Sequence, residues 1–509
     1  MKNIILSTLN ARYIHSSLGL RYILANMGDL RAQTEIHEFI INLRPIDIAE
    51  QLLDKNPSII GFGVYIWNVE QTTQVISLIK QIAPDVIIVI GGPEVSFEHE
   101  QQAIFDAADY LIKGAADLEF AELCHEIING YPPKNNIIQA IPRELDTINL
   151  PYQEYTDEDV RNRVIYVEAS RGCPFKCEFC LSSLDKTAKP FDLDNFLKSM
   201  DVLHQRGTRH FKFVDRTFNL KITSSIKILN FFLERLDDQL FLHFELIPDH
   251  LPEALKEIIQ KFPKGSLQFE IGIQSFNPDV QALISRKQNN KKSEENIRWL
   301  MTETQAHLHT DLILGLPGEN LESIESGFNQ LVRLAPHEIQ VGILKRLRGT
   351  PLIRHTTPYQ LTFNPSVPYN ILKNSDLDFK TMQRLNRFAR YWDMIANSGR
   401  FKNSKCLILN DNPFKHFLQL SDWLFLTTGQ THQIALPRLF ELLFTGLTQH
   451  FSQDKKRVKE KLWADYLSSK LKGYPSFADD QMIKQRNLRQ KKLEQKTHQK
   501  ESQSRQSRH

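Results

Sequence analysis

Cys173, Cys177 and Cys180 stand close together in the run EASRGCPFKCEFCLSS, separated by three residues and then by two. Thiolates at this spacing can grip one iron–sulfur cluster but supply only three ligands. A cubane of four irons asks for four outer ligands, so one iron is left open to a small molecule, and ligand count and surroundings set what that iron does. A zinc knuckle would want a fourth Cys or His at similar range, and none follows Cys180 closely. Three cysteines do not pair off as disulfides, and five in 509 residues make no disulfide framework. The other two, Cys124 in AELCHEI and Cys406 in NSKCLIL, sit singly among apolar residues and are expected in the core.

A cluster loop needs a rigid frame, and the chain is long enough for more than one core: 509 residues, 41% hydrophobic. Net charge is +3, with nine Lys or Arg against two Glu in residues 484–509, so the rest of the chain is at −4. No run of about 18 apolar residues appears and the N-terminus lacks a signal-peptide cleavage pattern. A cytoplasmic protein with no membrane partner is expected.

The first 130 residues alternate strand and helix patterns, with strands expected at 2–10, 34–41, 58–66, 86–92 and 110–114. Continuous Ile/Val runs bounded by Gly suit a doubly wound parallel sheet buried on both faces, which binds ligands at the carboxyl ends of its strands. Those ends carry Asn10, Arg12, Gly63, Tyr65 to Asn68, the run Gly91-Gly92-Pro93-Glu94, and Gly114. Glycines there either admit a bulky cofactor to the backbone or make ordinary tight turns.

Residues 133–160 are proline-rich with little periodicity and read as a linker. Six further strands are expected at 163–170, 210–215, 241–247, 266–274, 309–315 and 338–345, joined by helices: a (β/α)6 parallel barrel, partial or complete. The first runs straight into the cysteine loop. Asp215, Glu245, Gln274 with Ser275, Asp311 and Lys345 end strands on the face where barrel enzymes place their chemistry. Residues 356–475 are mostly amphipathic helix by pattern, and 476–509 form a basic tail expected to be disordered. The expected domains are thus 1–132, a linker 133–160, 161–355, 356–475 and the tail.

CPFKCEFC, followed by FVDRTFN, FELIPDHL, EIGIQSFNPDVQALISRKQ and DLILGLPGE, resembles the radical S-adenosylmethionine superfamily. The N-terminal domain ending in IIVIGGPEVSFE resembles the cobalamin-binding domain that precedes the barrel in one large branch, and the last third is similar to an uncharacterised appendage of that branch. The resemblance implies a 4Fe-4S cluster on Cys173, Cys177 and Cys180. It places Phe179 beside adenine, gives Glu245 the methionine ammonium, and gives Gln274 and Arg286 the ribose and the carboxylate. Asp311 would make another ribose contact. Such a zwitterion needs an acid for its ammonium and an Arg fork for its carboxylate. The amino-group motif after the second strand reads DRTFN here, which makes Asp215, with Thr217 and Asn219, a weaker contact. Gly63, Gly91, Gly92 and Glu94 are the matching cobalamin contacts.

The implied activity is cleavage of S-adenosylmethionine to a 5′-deoxyadenosyl radical, with cobalamin-dependent methylation of an unactivated carbon and an electron donor such as flavodoxin or ferredoxin. Departures qualify it. The cobalt-ligating DxHxxG loop is absent, His15 in RYIHSSLG lacks its Asp and Gly, and the second acidic loop reads GAAD at 114–117. Cobalamin would then bind without a protein ligand. One alternative is an RNA-modifying methylthiotransferase with an RNA-binding tail. That reaction uses a second cluster on three N-terminal cysteines, whereas residues 1–150 hold only Cys124, and the tail has no aromatics to stack on bases. A non-catalytic cofactor-binding sensor is the third reading.

Overall fold

In the computed structural model, which describes residues 3–484 and 486–488, residues up to 382 form one compact unit and those from 383 another. The basic tail beyond 488 lies outside the described residues.

The first unit begins with strands β1 (Asn3–Asn10), β2 (Thr34–Ile40), β3 (Pro57–Gly63), β4 (Ile87–Gly91), β5 (Tyr110–Lys113) and β6 (Ile137–Gln139). They form one parallel sheet ordered β2-β1-β3-β4-β5-β6. Successive residues of a strand point to opposite faces, and here both faces are apolar. Ile5 and Leu9 of β1, Ile60 and Phe62 of β3, and Ile88 and Ile90 of β4 join one core, packed with Ile48 and Leu52 of the helix Pro45–Leu53 and with Val75, Ile76 and Ile79 of the helix Val69–Ile82. Ile4, Leu6, Ile59 and Val89 join the other, with Leu20 and Leu24 of Leu18–Ala25 and Phe120 and Leu123 of Glu119–Ile128. β6 was not expected: it lies in the stretch read as linker, where three residues between Asn136 and Ala140 show too short a pattern, and it is held by pairing with β5.

The second half of this unit contains β7 (Ile165–Val167), a two-residue ladder of β8 (Ser170–Arg171) with β9 (Lys189–Pro190), and then β10 (His210–Phe213), β11 (Phe241–Leu246), β12 (Leu267–Gln274), β13 (His307–Leu314) and β14 (Glu338–Ile343). The parallel order is β7-β10-β11-β12-β13-β14, with the first and last strands at opposite edges: a partial barrel. Burial alternates strictly along β12 and β13. Leu267, Phe269, Ile271 and Ile273 are buried, while Gln268, Glu270, Gly272 and Gln274 face the other way, into the lumen. After the barrel, β15 (Thr362–Phe363) pairs antiparallel with β16 (Ile371–Lys373), and Ile371 donates its amide to Leu344 O, so residues up to 382 belong with the barrel rather than with the helices that follow.

The second unit is helical, including Pro413–Thr428, Leu436–Thr445 and Lys455–Ser468. Asp465, 1% exposed, accepts bonds from the backbone and side chains of Asn403 and Ser404 at 2.6–2.9 Å, tying the last of these helices to the loop before Lys405–Leu409. Cys124 is buried as expected, its thiol pushed up to about 12 by burial, whereas Cys406 is exposed. Its short helix turns Leu407 to Leu409 inward and leaves the cysteine on the opposite side. Among the described residues no helix is long and apolar enough to cross a membrane.

Candidate functional site

The cysteine loop leaves β7 through the β8–β9 ladder, which clamps its base. Gly172 adopts φ +92°, and a Cβ there would stand 2.8 Å from Asp185 Cγ and 2.9 Å from the Ala188 amide nitrogen, so only glycine lets the loop close. Cys173 N donates to Asp185 O at 2.8 Å, and Ser183 Oγ lies 2.9 Å and 2.7 Å from the carbonyl oxygens of Cys177 and Cys180. These bonds hold three thiols on one wall of a cavity of about 350 Å³.

Phe179, Glu245, Gln274, Arg286 and Asp311 line the same cavity, so strands β11, β12 and β13 bring together side chains separated by over 130 residues. Glu245 accepts from Arg216 Nη1 at 2.6 Å; burial and the neighbouring Glu270 raise its carboxyl, Arg216 opposing them. Arg286 bonds Gln288 Oε1 at 3.0 Å and the Gly272 carbonyl, and its Nη1 stands 3.7 Å from Cys177 Sγ. Burial pushes the thiols of Cys173 and Cys177 up, with Arg286 pulling the second back. Gln274 sits where the β12–β13 register slips, at φ +67°, a bulge that swings its amide toward the cavity. Its Oε1 is buried with no hydrogen bond, and so is Asp311 Oδ1, 3.5 Å from His309 Nε2. Burial, reinforced by Glu270 and Glu245, pushes Asp311 up to about 8. Unspent polar atoms beside a carboxylate, a guanidinium and three thiols are what a cluster with a polar, zwitterionic co-substrate requires.

Among the described residues no three His, Cys, Asp or Glu side chains converge tightly enough for a single metal ion. A cubane spreads its outer irons over separate corners, so its thiolates stand wider than a mononuclear set.

Asp215 is placed differently from the expectation. It does not line this cavity; it accepts from Ser170 Oγ at 2.6 Å and Ala169 N at 3.0 Å, and burial pushes it up to about 7. It therefore pins the strand end that feeds the cysteine loop.

A second cavity, about 320 Å³, lies at the carboxyl ends of β3, β4 and β5, with Leu6 from the middle of β1. Gly61, Gly63, Gly91, Gly92 and Gly114 line it with Leu6, Leu18, Val89 and Phe120, and Tyr22, Asp117, Glu168 and Arg171 add polar groups. Tyr22 Oη is buried without a hydrogen bond. An apolar, glycine-floored slot with a few polar groups fits the flat nucleotide end of a corrinoid. His15 is not in it: Nδ1 lies 2.7 Å from Tyr166 Oη. Glu94 is not in it either. Buried at 3% side-chain exposure, it accepts from Arg348 Nε at 2.8 Å and Tyr369 Oη at 2.9 Å, a pairing across more than 250 residues that no local pattern announces.

Four site residues escaped the sequence. Glu270, held down at about 2 because His243 and Lys212 outweigh its burial, lines the first cavity; its parity with Gly272 and Gln274 in LQFEIGIQ was the available signal. Arg216 pairs with Glu245. Arg171 bridges Asp117 at 2.8 Å, in the GAAD loop, and Glu168 at 2.8 Å, so it joins the sheet domain to the barrel. Glu178, inside the cysteine motif, is buried and paired.

Residues 167–331 match the family model of the radical SAM superfamily, 5–124 that of the B12 binding domain, and 357–508 that of a protein of unknown function (DUF4080). The chain is similar to an uncharacterised methyltransferase of Pyrococcus horikoshii, at 26% identity over 66% of this chain and 77% of the relative. It is also similar to the cobalamin-dependent radical SAM methyltransferase TokK of Streptomyces tokunonensis, at 21% identity over 64% of this chain and 52% of the relative. The chain thus spans about half the length of that second protein. In fold it is similar to the radical S-adenosylmethionine methyltransferase TsrM from Kitasatospora setae, with TM-score 0.55 and 16% identity over 69% of this chain and 75% of the other.

Proposed function

We propose, from the premise that this chain belongs to the radical S-adenosylmethionine superfamily and carries a B12 binding domain ahead of its barrel, that it is a cobalamin-dependent methyltransferase acting on an unactivated carbon. The observation that carries this is one cavity walled by three cysteines, Glu245, Gln274, Arg286 and Asp311, with a glycine-lined slot in the adjoining sheet domain.

Cys173, Cys177 and Cys180 would hold the 4Fe-4S cluster, which supplies the electron that splits S-adenosylmethionine to methionine and a 5′-deoxyadenosyl radical. The slot at Gly63, Gly91 and Gly92 would hold cobalamin, which supplies the methyl carrier. The chain's own part is to bind and orient. Glu245 takes the ammonium of the methionine moiety, exchanging Arg216 for it. Arg286 offers a fork to the carboxylate beside Cys177. Gln274 Oε1 accepts a ribose hydroxyl; Asp311, protonated below about pH 8, both donates and accepts there. Phe179 packs along the adenine. Asp215 and Glu94 touch neither ligand and serve as anchors. Phe175, Leu246 and Ile247 on the cavity wall limit water around the reacting atoms.

An electron donor such as flavodoxin or ferredoxin and a cytoplasmic, reducing setting suit this chemistry. Methylthiotransfer is disfavoured because only Cys124 precedes residue 150. The test is anaerobic purification with a metal count. The expected result is about four irons and one cobalt per chain, with 5′-deoxyadenosine formed on reduction. Zinc, or full S-adenosylmethionine cleavage by Cys177→Ala, would end the proposal.

A further inference from the structure

Glu178 lies between the second and third cysteines, yet its side chain is 3% exposed and both carboxylate oxygens are engaged. Oε2 stands 2.8 Å from His355 Nε2; Oε1 accepts from Ser285 Oγ at 2.5 Å and from Arg354 Nη2. Its main chain is held as well: Leu352 N donates to Glu178 O, and Glu178 N donates to Ile284 O, both at 3.0 Å. Ser285 has φ +54°, a conformation that a side chain adopts only when its surroundings enforce it. The next residue is Arg286, whose guanidinium reaches Cys177 Sγ and the Gly272 carbonyl.

We infer that Glu178 is a positioning residue that locks the cluster loop and the Arg286 fork into one register, with residues 352–355 as its outer anchor. The inference rests on the cavity being the cluster and S-adenosylmethionine site. A buried carboxylate persists only when paired and hydrogen-bonded, so the loop, the Ser285 turn and the Arg354–His355 segment stand or shift together. The carboxylate also balances the Arg354 guanidinium at the cysteine motif. Removing it would leave that positive charge uncompensated, which favours the electron that reduction adds and raises the reduction potential.

Two variants separate charge from orientation. Glu178→Gln keeps the shape and removes the charge; Ser285→Ala keeps the charge and frees the turn. Each is reconstituted as full-length protein and followed by iron content, by potentiometric titration of the reduced-cluster EPR signal, and by the change in that signal on adding S-adenosylmethionine. Glu178→Gln should shift the midpoint potential upward, and both variants should need about tenfold more S-adenosylmethionine for half the spectral change. Wild-type potential in the first and wild-type titration in both overturn the inference. If Glu178→Gln fails to keep its iron, an unchanged titration in Ser285→Ala overturns it alone. A wild-type chain without four irons sinks the cavity reading and this lock with it, whereas a wild-type cluster with unaltered variants sinks only the lock.

Discussion

Asp311 keeps a proton at neutral pH that an ordinary aspartate has lost, because burial and the charges of Glu270 and Glu245 disfavour its ionised form. Its folded value, about 8, lies above the ordinary 3.8, so between those pH values the folded chain holds a proton that the unfolded chain has released. The stability it contributes is therefore intact below about pH 4 and declines as pH rises toward 8, at up to about 1.4 kcal/mol per pH unit. Asp311→Asn should remove this slope: urea unfolding at pH 5 and pH 8 should show the variant gaining on the wild type at the higher pH. Equal differences at both would contradict a protonated Asp311. The cysteines were legible from their spacing, and Glu245, Gln274 and Arg286 from the resemblance of the motifs that hold them; all line one cavity. Glu270 and Arg216 were not legible, since the ion pairs that engage them form only when β10, β11 and β12 lie side by side.

Strands were legible for a related reason. Continuous Ile/Val runs in the sheet domain and apolar–polar alternation in the barrel are patterns that the order of residues alone displays. β6 escaped because three residues hold too little of any period. The run Gly91-Gly92-Pro93-Glu94 was half legible. Gly92 has φ +114°, and a Cβ there would meet Val64 O at 2.4 Å. Gly92→Ala should therefore cost at least about 2 kcal/mol and weaken cobalamin retention, measured by chemical unfolding and by cobalt content after gel filtration. Unchanged stability would mean that the turn is less constrained than its backbone implies. Glu94, by contrast, is a brace. Arg348→Ala leaves a buried carboxylate with Tyr369 alone and should destabilise by about 3 kcal/mol, while adding Glu94→Ala should recover part of that loss. Additive costs in this double-mutant cycle would show that the pair is not coupled.

Charge divides the molecule unevenly. Residues 1–382 carry 39 Lys and Arg against 49 Asp and Glu; residues 383–509 carry 24 against 11. The apparent near-neutrality of the chain is thus a cancellation. Every residue that lines the two large cavities lies between Leu6 and Gln340. Ending the chain after residue 488 should therefore leave iron and cobalt content unchanged while reducing retention on a cation exchanger. Loss of either metal would assign the tail a role in cofactor binding.

Arg171 faces one cavity and Cys173 faces the other, with a single glycine between them. Two residues of chain span no more than about 7 Å, so the two chambers share a party wall built from one short stretch of backbone. A shift of that stretch of backbone would be felt in both chambers at once, so neither can be remodelled without disturbing the other.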